Sequence, residues 1–179
     1  MPAERLKDTT PMGLFARLLG KNIDEHAEVR PLWHAIVAVA RTPRWYSELG
    51  VADTVPGRFD AVALVMALVL LRMEREPELS AKAILLTELF VTDMDAQLRE
   101  TGLGDMVVGK HVSKLMGALG GRMDAMRGAL SGEEPMAAAL ERNVTLNAGA
   151  AGLAAEMRAL ADLLDTCDAA GLLAGRIAP

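Results

Sequence analysis

The run AVALVMALVLL at positions 61–71, set between Asp60 and Arg72, decides the fold. Its eleven residues contain no polar side chain, exceed the length of most strands, and are rich in the helix formers Ala, Leu and Met. As a helix the run rises only about 16 Å, whereas a bilayer crossing takes about 20 apolar residues. A helix that is apolar on every side belongs at the centre of a bundle. Upstream, Asp53 or Thr54 can cap it and Pro56 suits its first turn, so the expected helix covers about residues 57–76 and ends at Pro77.

Glycine and proline divide the flanking chain into further helices. Residues 24–41 carry a stripe of Val29, Trp33, Ile36, Val37 and Ala40, although Pro31 can instead mark the first turn because Arg30 before it is biased away from α. Thr42-Pro43 stops that helix, and residues 44–49 read as a short helical turn closed by Gly50. Ser80 is placed to cap a helix over 81–101, which Gly102 and Gly104 end. Asp105 caps a fourth, through about Arg127, with Val108, Val112, Leu115, Met116, Leu119, Met123 and Met126 as its stripe. Ser131 and Glu134 have the spacing of a capping box for a fifth helix through about Val144, and Leu153, Met157, Leu160 and Leu164 mark a sixth. The expectation is an all-α, single-domain bundle of about six helices with short connections. Residues 1–23 form a partly flexible N-terminal segment, 24–169 the helical domain, and 170–179 a tail that makes a last short turn or frays.

Composition agrees with this. The chain has 179 residues, 51% hydrophobic and 24% charged, enough to bury a core without disulfides or metal. Aromatics at 3% against eleven Met favour aliphatic helix packing over a β-sandwich. The net charge of −5, with three basic and seven acidic residues in 131–179, disfavours nucleic acid as the main ligand, and DNA is not expected. Cys167 stands alone, so an intrachain disulfide and a thiolate zinc site are excluded. His26, His34 and His111 make no i,i+3 or i,i+4 pair, and neither a metal nor a cofactor is expected. No G-x-S-x-G, no phosphate-cradling loop and no titratable pair at catalytic spacing occur, so an enzyme is not expected. The apolar piece 12–19 is broken by Arg17 and lacks the core of a signal peptide, which leaves a cytoplasmic protein as the expectation.

Several residues stand out. Asp93 and Asp95 lie two apart on a helix, about 200° from each other, and cannot share one cation. Asp93 projects between Leu86 and Leu89, where it pairs with Arg58, Lys110 or Arg122, or is solvated beside Gln97. Asp95 has Arg99 at i,i+4. Lys110, His111, Lys114 and Arg122 cover about a third of their helix's circumference, either as a solvated face or as a docking surface for an acidic partner or RNA phosphates. Gly117, Gly120 and Gly121 in the same helix need a reason, which is close approach of another helix or a bound chain, or a break. Trp33, Trp45, Tyr46 and Phe59 are interleaved with Arg41, Arg44 and Arg58, residue types that dominate binding hot spots. Trp33 reads as core; Trp45 and Tyr46 suit core or contact equally.

The stretch ARTPRWYSELGVADTVPGRFD (40–60) followed by LFVTDMDAQLRETGLGDMVVGKHVSKLMGALGGR (89–122) resembles the ubiquinol–cytochrome c chaperone family. The matching pieces are Arg41-x-Pro43, Tyr46, Gly50-Val51-x-Asp53-Thr54, Gly57-Arg58-Phe59-Asp60, and Phe90 with Asp93-Met94-Asp95. Leu98-Arg99-Glu100-x-Gly102, Gly104-Asp105, Val108-x-Lys110 and Leu140-x-Arg142-Asn143 follow in order, so the resemblance spans about residues 32–147. It implies a non-enzymatic all-α assembly factor for ubiquinol–cytochrome c reductase (complex III), which holds newly made cytochrome b with a small partner protein near the ribosome exit. It also implies that Tyr46, Arg58, Phe59, Asp93, Asp95, Arg99 and Lys110 shape a functional face or its supporting network. A histidine usual near Val65 is missing, and Leu119-Gly120 stands where an aromatic pair commonly precedes Gly121-Arg122.

The resulting expectation is a chaperone that grips cytochrome b, or another hydrophobic nascent chain, through an apolar and aromatic surface. Its candidate contacts are Arg44, Trp45, Tyr46, Arg58, Phe59, Arg99, Lys110, Lys114 and Arg122, with Asp93 and Asp95 as the structural network. Ribosome contact and transient membrane proximity go with that role. The alternative is a helical carrier of a lipid, quinone or haem in a Met-rich core. The first expects an exposed groove, the second an enclosed cavity.

Overall fold

The computed structural model describes residues 24–100 and 108–178, except the side chains at 98, 100 and 108–111. In chain order the helices are α1 (Arg30–Ala40), α2 (Arg44–Ser47), α3 (Val55–Met73), α4 (Ser80–Glu100), α5 (Val108–Ser131), α6 (Met136–Asn143), α7 (Ala151–Thr166) and α8 (Ala169–Leu173). The all-α expectation is met: the described residues contain no strand, only an isolated bridge between Val51 and Leu146. The six expected helices correspond to α1 and α3 to α7, and the short turn after Pro43 is α2.

The apolar run at 61–71 is the buried axis, with every residue at most 8% exposed. Its helix, α3, packs against α1, α4, α5 and α7. Both ends of α3 are tied down. Thr54 Oγ1 accepts the Gly57 N–H at 3.2 Å, with Pro56 in the first turn. A Cβ at Gly57 would lie 2.0 Å from the Ala52 carbonyl oxygen, so only glycine lets the preceding loop cross so close beneath the helix. At the other end Arg72, 8% exposed, donates to the carbonyls of Leu164 at 3.0 Å and Cys167 at 2.6 Å, and pairs with Glu76. It thereby joins the Cys167 N–H at the Leu164 carbonyl and gives the Cys167 carbonyl, just past the end of α7, a donor.

Several boundaries differ from the sequence reading. α1 begins at Arg30, with Pro31 in its first turn, because Pro31 has no N–H to give an earlier turn. Ser131 caps nothing: it is the last residue of α5, its hydroxyl donates to the Gly128 carbonyl at 3.0 Å, and α6 starts after Pro135. Ser80 follows a 3-10 turn, Pro77–Leu79, and its hydroxyl donates to the Pro77 carbonyl at 2.8 Å. α5 continues without a break through Gly117, Gly120 and Gly121. Gly102, Gly104 and Asp105 lie outside the described residues, as does the segment 1–23. The tail is docked: Leu172 and Ile177 are fully buried, and Gly175, at φ +77, lies against the Pro31 carbonyl of α1. Among the described residues no helix is long and apolar enough to cross a membrane.

Candidate functional site

α4 and α5 pack together beside α3 and leave an apolar trough between them, with a volume near 630 Å³. Leu70 of α3 and Leu119 contribute to its floor, while Ile84, Val91, Met116 and Met123 line its sides. Ile84 is 62% exposed and Met116 is 43% exposed, so large apolar side chains here face solvent. Gly120 lines the same trough, and a Cβ on it, on Gly117 or on Gly121 would meet nothing within 4 Å. No other helix among the described residues therefore approaches these glycines. Two carboxylates stand on the lining: Glu88, 3.0 Å from His26 Nε2, and Glu74, which accepts from Arg127 at 3.0 Å. Its hydrogen bond to Glu74 raises the Arg127 pKa further above its already high value.

A second hollow of about 450 Å³, more polar than the trough, is bounded by Arg41, Pro43, Tyr46, Ser47, Asp53 and Arg58. It brings the expected contacts Tyr46 and Arg58 together. Arg58 Nε donates to Asp53 at 2.6 Å, which holds the Asp53 carboxyl below its ordinary pKa. The Tyr46 hydroxyl donates to the Ala40 carbonyl at 2.7 Å, and burial pushes its pKa above the ordinary phenol value. Arg41 donates to Gln97 Oε1 at 3.2 Å, joining the end of α1 to α4.

Trp45 does not join this hollow. It is 2% exposed and belongs to the core, so the expectation that it contacts a partner is corrected. Its neighbour Arg44 is exposed and reaches α7, donating to Glu156 at 2.6 Å. Arg122 is also corrected. It points inward at 9% exposure, pairs with Asp60, and lies over the Phe59 ring with Cζ 5.5 Å from the centroid. Among the other basic candidates Lys114 and Arg99 are exposed, and the side chains of Lys110 and His111 lie outside the described residues.

Asp93 pairs with neither Arg58 nor Arg122. It is half-buried, and Oδ2 accepts the Trp33 indole N–H at 2.6 Å. Trp33 meets Phe90 edge-on with centroids 6.1 Å apart, and Phe90 meets Phe59 at 6.1 Å. A chain of contacts thus runs from Asp93 through Trp33, Phe90, Phe59 and Arg122 to Asp60, linking α1, α3, α4 and α5. Asp95 keeps its expected partner, Arg99, at 2.8 Å. Among the described residues no group of His, Cys, Asp or Glu could hold a metal ion.

A family model described as Ubiquinol-cytochrome C chaperone matches residues 47–178, well over half of the chain. The chain belongs to the ubiquinol–cytochrome c chaperone family. The matched range includes both walls of the apolar trough. This chaperone is also similar to a solved structure, the crystal structure of the Cbp3 homolog from Brucella abortus. The two are 35% identical with a TM-score of 0.74, over 93% of this chain and 94% of that one. No curated protein matches. Family and fold together support a chaperone role toward complex III.

The trough residues were the part of this chaperone that sequence reasoning did not single out as a surface. Met116 and Met123 read as core stripe. The available signal was the three glycines on that helix, with no helix among the described residues to explain them.

Proposed function

We propose that this chaperone holds a hydrophobic segment of newly made cytochrome b, or of a similarly apolar nascent subunit of complex III, in the α4–α5 trough. The observation that carries the reading is the exposure of Ile84 and Met116 beside Gly120 in an open, apolar depression. Each client side chain buried there contributes about 1.5–3 kcal/mol. Two or three such anchors, after the cost of association, give weak affinities on the order of millimolar, which suits an escort that must release its client.

The Tyr46–Arg58 hollow is more polar than the trough and separately built, and we assign it to a partner protein rather than to the client. Arg44, Arg99 and Lys114 serve as cations around these surfaces, and we take Lys110 and Lys114 as the candidates for meeting ribosomal phosphates. Trp45, Phe59, Asp93, Asp95 and Arg122 act from within by holding the helices in place. The protein works from the cytoplasmic side against chains about to enter the membrane, and the role needs neither a catalytic step nor a cofactor.

Binding of peptides from cytochrome b transmembrane segments tests this. Ile84→Asp and Met116→Asp, with helicity retained by circular dichroism, should each weaken binding by about tenfold or more. Affinity indifferent to both substitutions would overturn the trough assignment. Normal complex III in a strain lacking the protein would overturn the assembly role.

A further inference from the structure

The chain enters the described structure at the rim of the trough. His26 Nε2 lies 3.0 Å from Glu88 Oε2, and Glu88 lines the trough. Glu28 pairs with Lys82, the residue before the trough-lining Ala83 and Ile84. Asp24, where description begins, accepts the His26 backbone N–H at 3.1 Å. Whatever precedes residue 24 is therefore delivered beside an apolar depression that no described residue covers.

What precedes it is MGLFARLLGKNI over residues 12–23. On a helical wheel Leu14, Phe15, Leu18 and Leu19 fall within about 140° of arc, while Arg17 and Lys21 fall outside it. Residues 12–19 as a helix would be about 12 Å long, close to the roughly 14 Å that α4 offers between Ala83 and Thr92. Residues 20–23 supply up to about 14 Å of extended reach. Glu74 and Glu88 on the trough lining already pair with Arg127 and His26, so the fit rests on apolar contact and on reach.

We propose that residues 12–19 dock in the α4–α5 trough as a tethered helix, which a client must displace. The docking stands on its own; only its competition with a client rests on the function proposed above. A short tether gives the segment an effective concentration in the millimolar range, so even a weak contact keeps it seated much of the time. Client affinity is then reduced by the fraction of molecules with an open trough.

Cysteine pairing in the full chain tests the docking directly. In a Cys167→Ser background, Leu18→Cys with Met116→Cys should form an intrachain disulfide under mild oxidation, while Leu18→Cys with Arg158→Cys on α7 should not. No disulfide between positions 18 and 116, or equal yield with position 158, would overturn the proposal. A disulfide-linked dimer would overturn it too, in favour of a second copy in the trough. The competition is read with a cytochrome b transmembrane peptide, which should bind the Leu14→Asp, Leu18→Asp double variant about tenfold more tightly than the unsubstituted chain. Equal affinity for both would overturn competition. A disulfide at 18–116 with no peptide binding to either form would support docking and sink the client reading alone.

Discussion

Arg122 of α5 pairs with Asp60 of α3 across the interior, and both residues are at most 9% exposed. The pair is well supplied with further bonds. Arg122 donates to the carbonyls of Ala118 at 2.9 Å and Asn143 at 2.8 Å, while Asp60 accepts from the Thr145 N–H at 2.8 Å and its hydroxyl at 2.7 Å. Three segments that are distant in sequence are fastened at one point: α3, α5 and the connection after α6.

Removing one partner strands the other charge. Asp60→Ala should cost about 3–5 kcal/mol, read from urea unfolding followed by circular dichroism. Replacing both ends with apolar residues, Asp60→Leu with Arg122→Met, should cost clearly less than the two single losses added together. Strict additivity would show that the pair is not energetically coupled.

Glycines supply a second contrast. Gly57→Ala would drive a Cβ to 2.0 Å from the Ala52 carbonyl oxygen, against backbone that cannot swing aside. The variant should lose about 2 kcal/mol or more, as strained backbone does. Gly117→Ala meets nothing within 4 Å and should gain up to about 1 kcal/mol from helix propensity. Thermal unfolding of the two variants, measured together, should move in opposite directions.

The contrast between these sites explains what could be read in advance. The central helix was legible because eleven consecutive apolar residues leave no polar side for any other location. Arg122 was not. Its spacing with Lys110 and Lys114 looks like a solvated face, and an inward arginine becomes affordable only through Asp60, 62 positions away on another helix. Trp45 beside Arg44 in a short turn has the same local pattern whether its ring is buried or offered to a partner. Met116 fits the core periodicity of α5, yet it is 43% exposed because no helix among the described residues lies over it. Periodicity says which residues want cover; it does not say whether the chain provides it.

Tyr46 is the chain's one tyrosine, which makes its ionisation directly visible in ultraviolet absorbance. Burial disfavours the phenolate and raises the folded-state pKa, so the neutral form is the one that folding prefers. The associated stability is fully present below the unfolded pKa of about 10 and is lost as pH rises through the folded value. Absorbance near 295 nm should therefore titrate at higher pH in the native protein than in urea. Coincident midpoints would mean that the phenol is not buried against α1 in solution. Tyr46→Phe should cost about 1 kcal/mol, the value of one such bond.

The bond between the Trp33 indole N–H and Asp93, at 2.6 Å, yields a sharper test of what the carboxylate is for. An aspartate held by a cation would lose its purpose on neutralisation. An aspartate that accepts from an indole would not, because an amide oxygen in the same place accepts as well. Asp93→Asn should therefore stay within about 1 kcal/mol of the native protein, whereas Asp93→Ala leaves the indole donor unsatisfied at a cost of about 1–3 kcal/mol. Trp33 is 2% exposed and touches Phe90, so Asp93→Ala should also alter tryptophan fluorescence while Asp93→Asn largely preserves it. Equal damage from Asn and Ala would show that the negative charge, rather than the acceptor, holds α4 against α1.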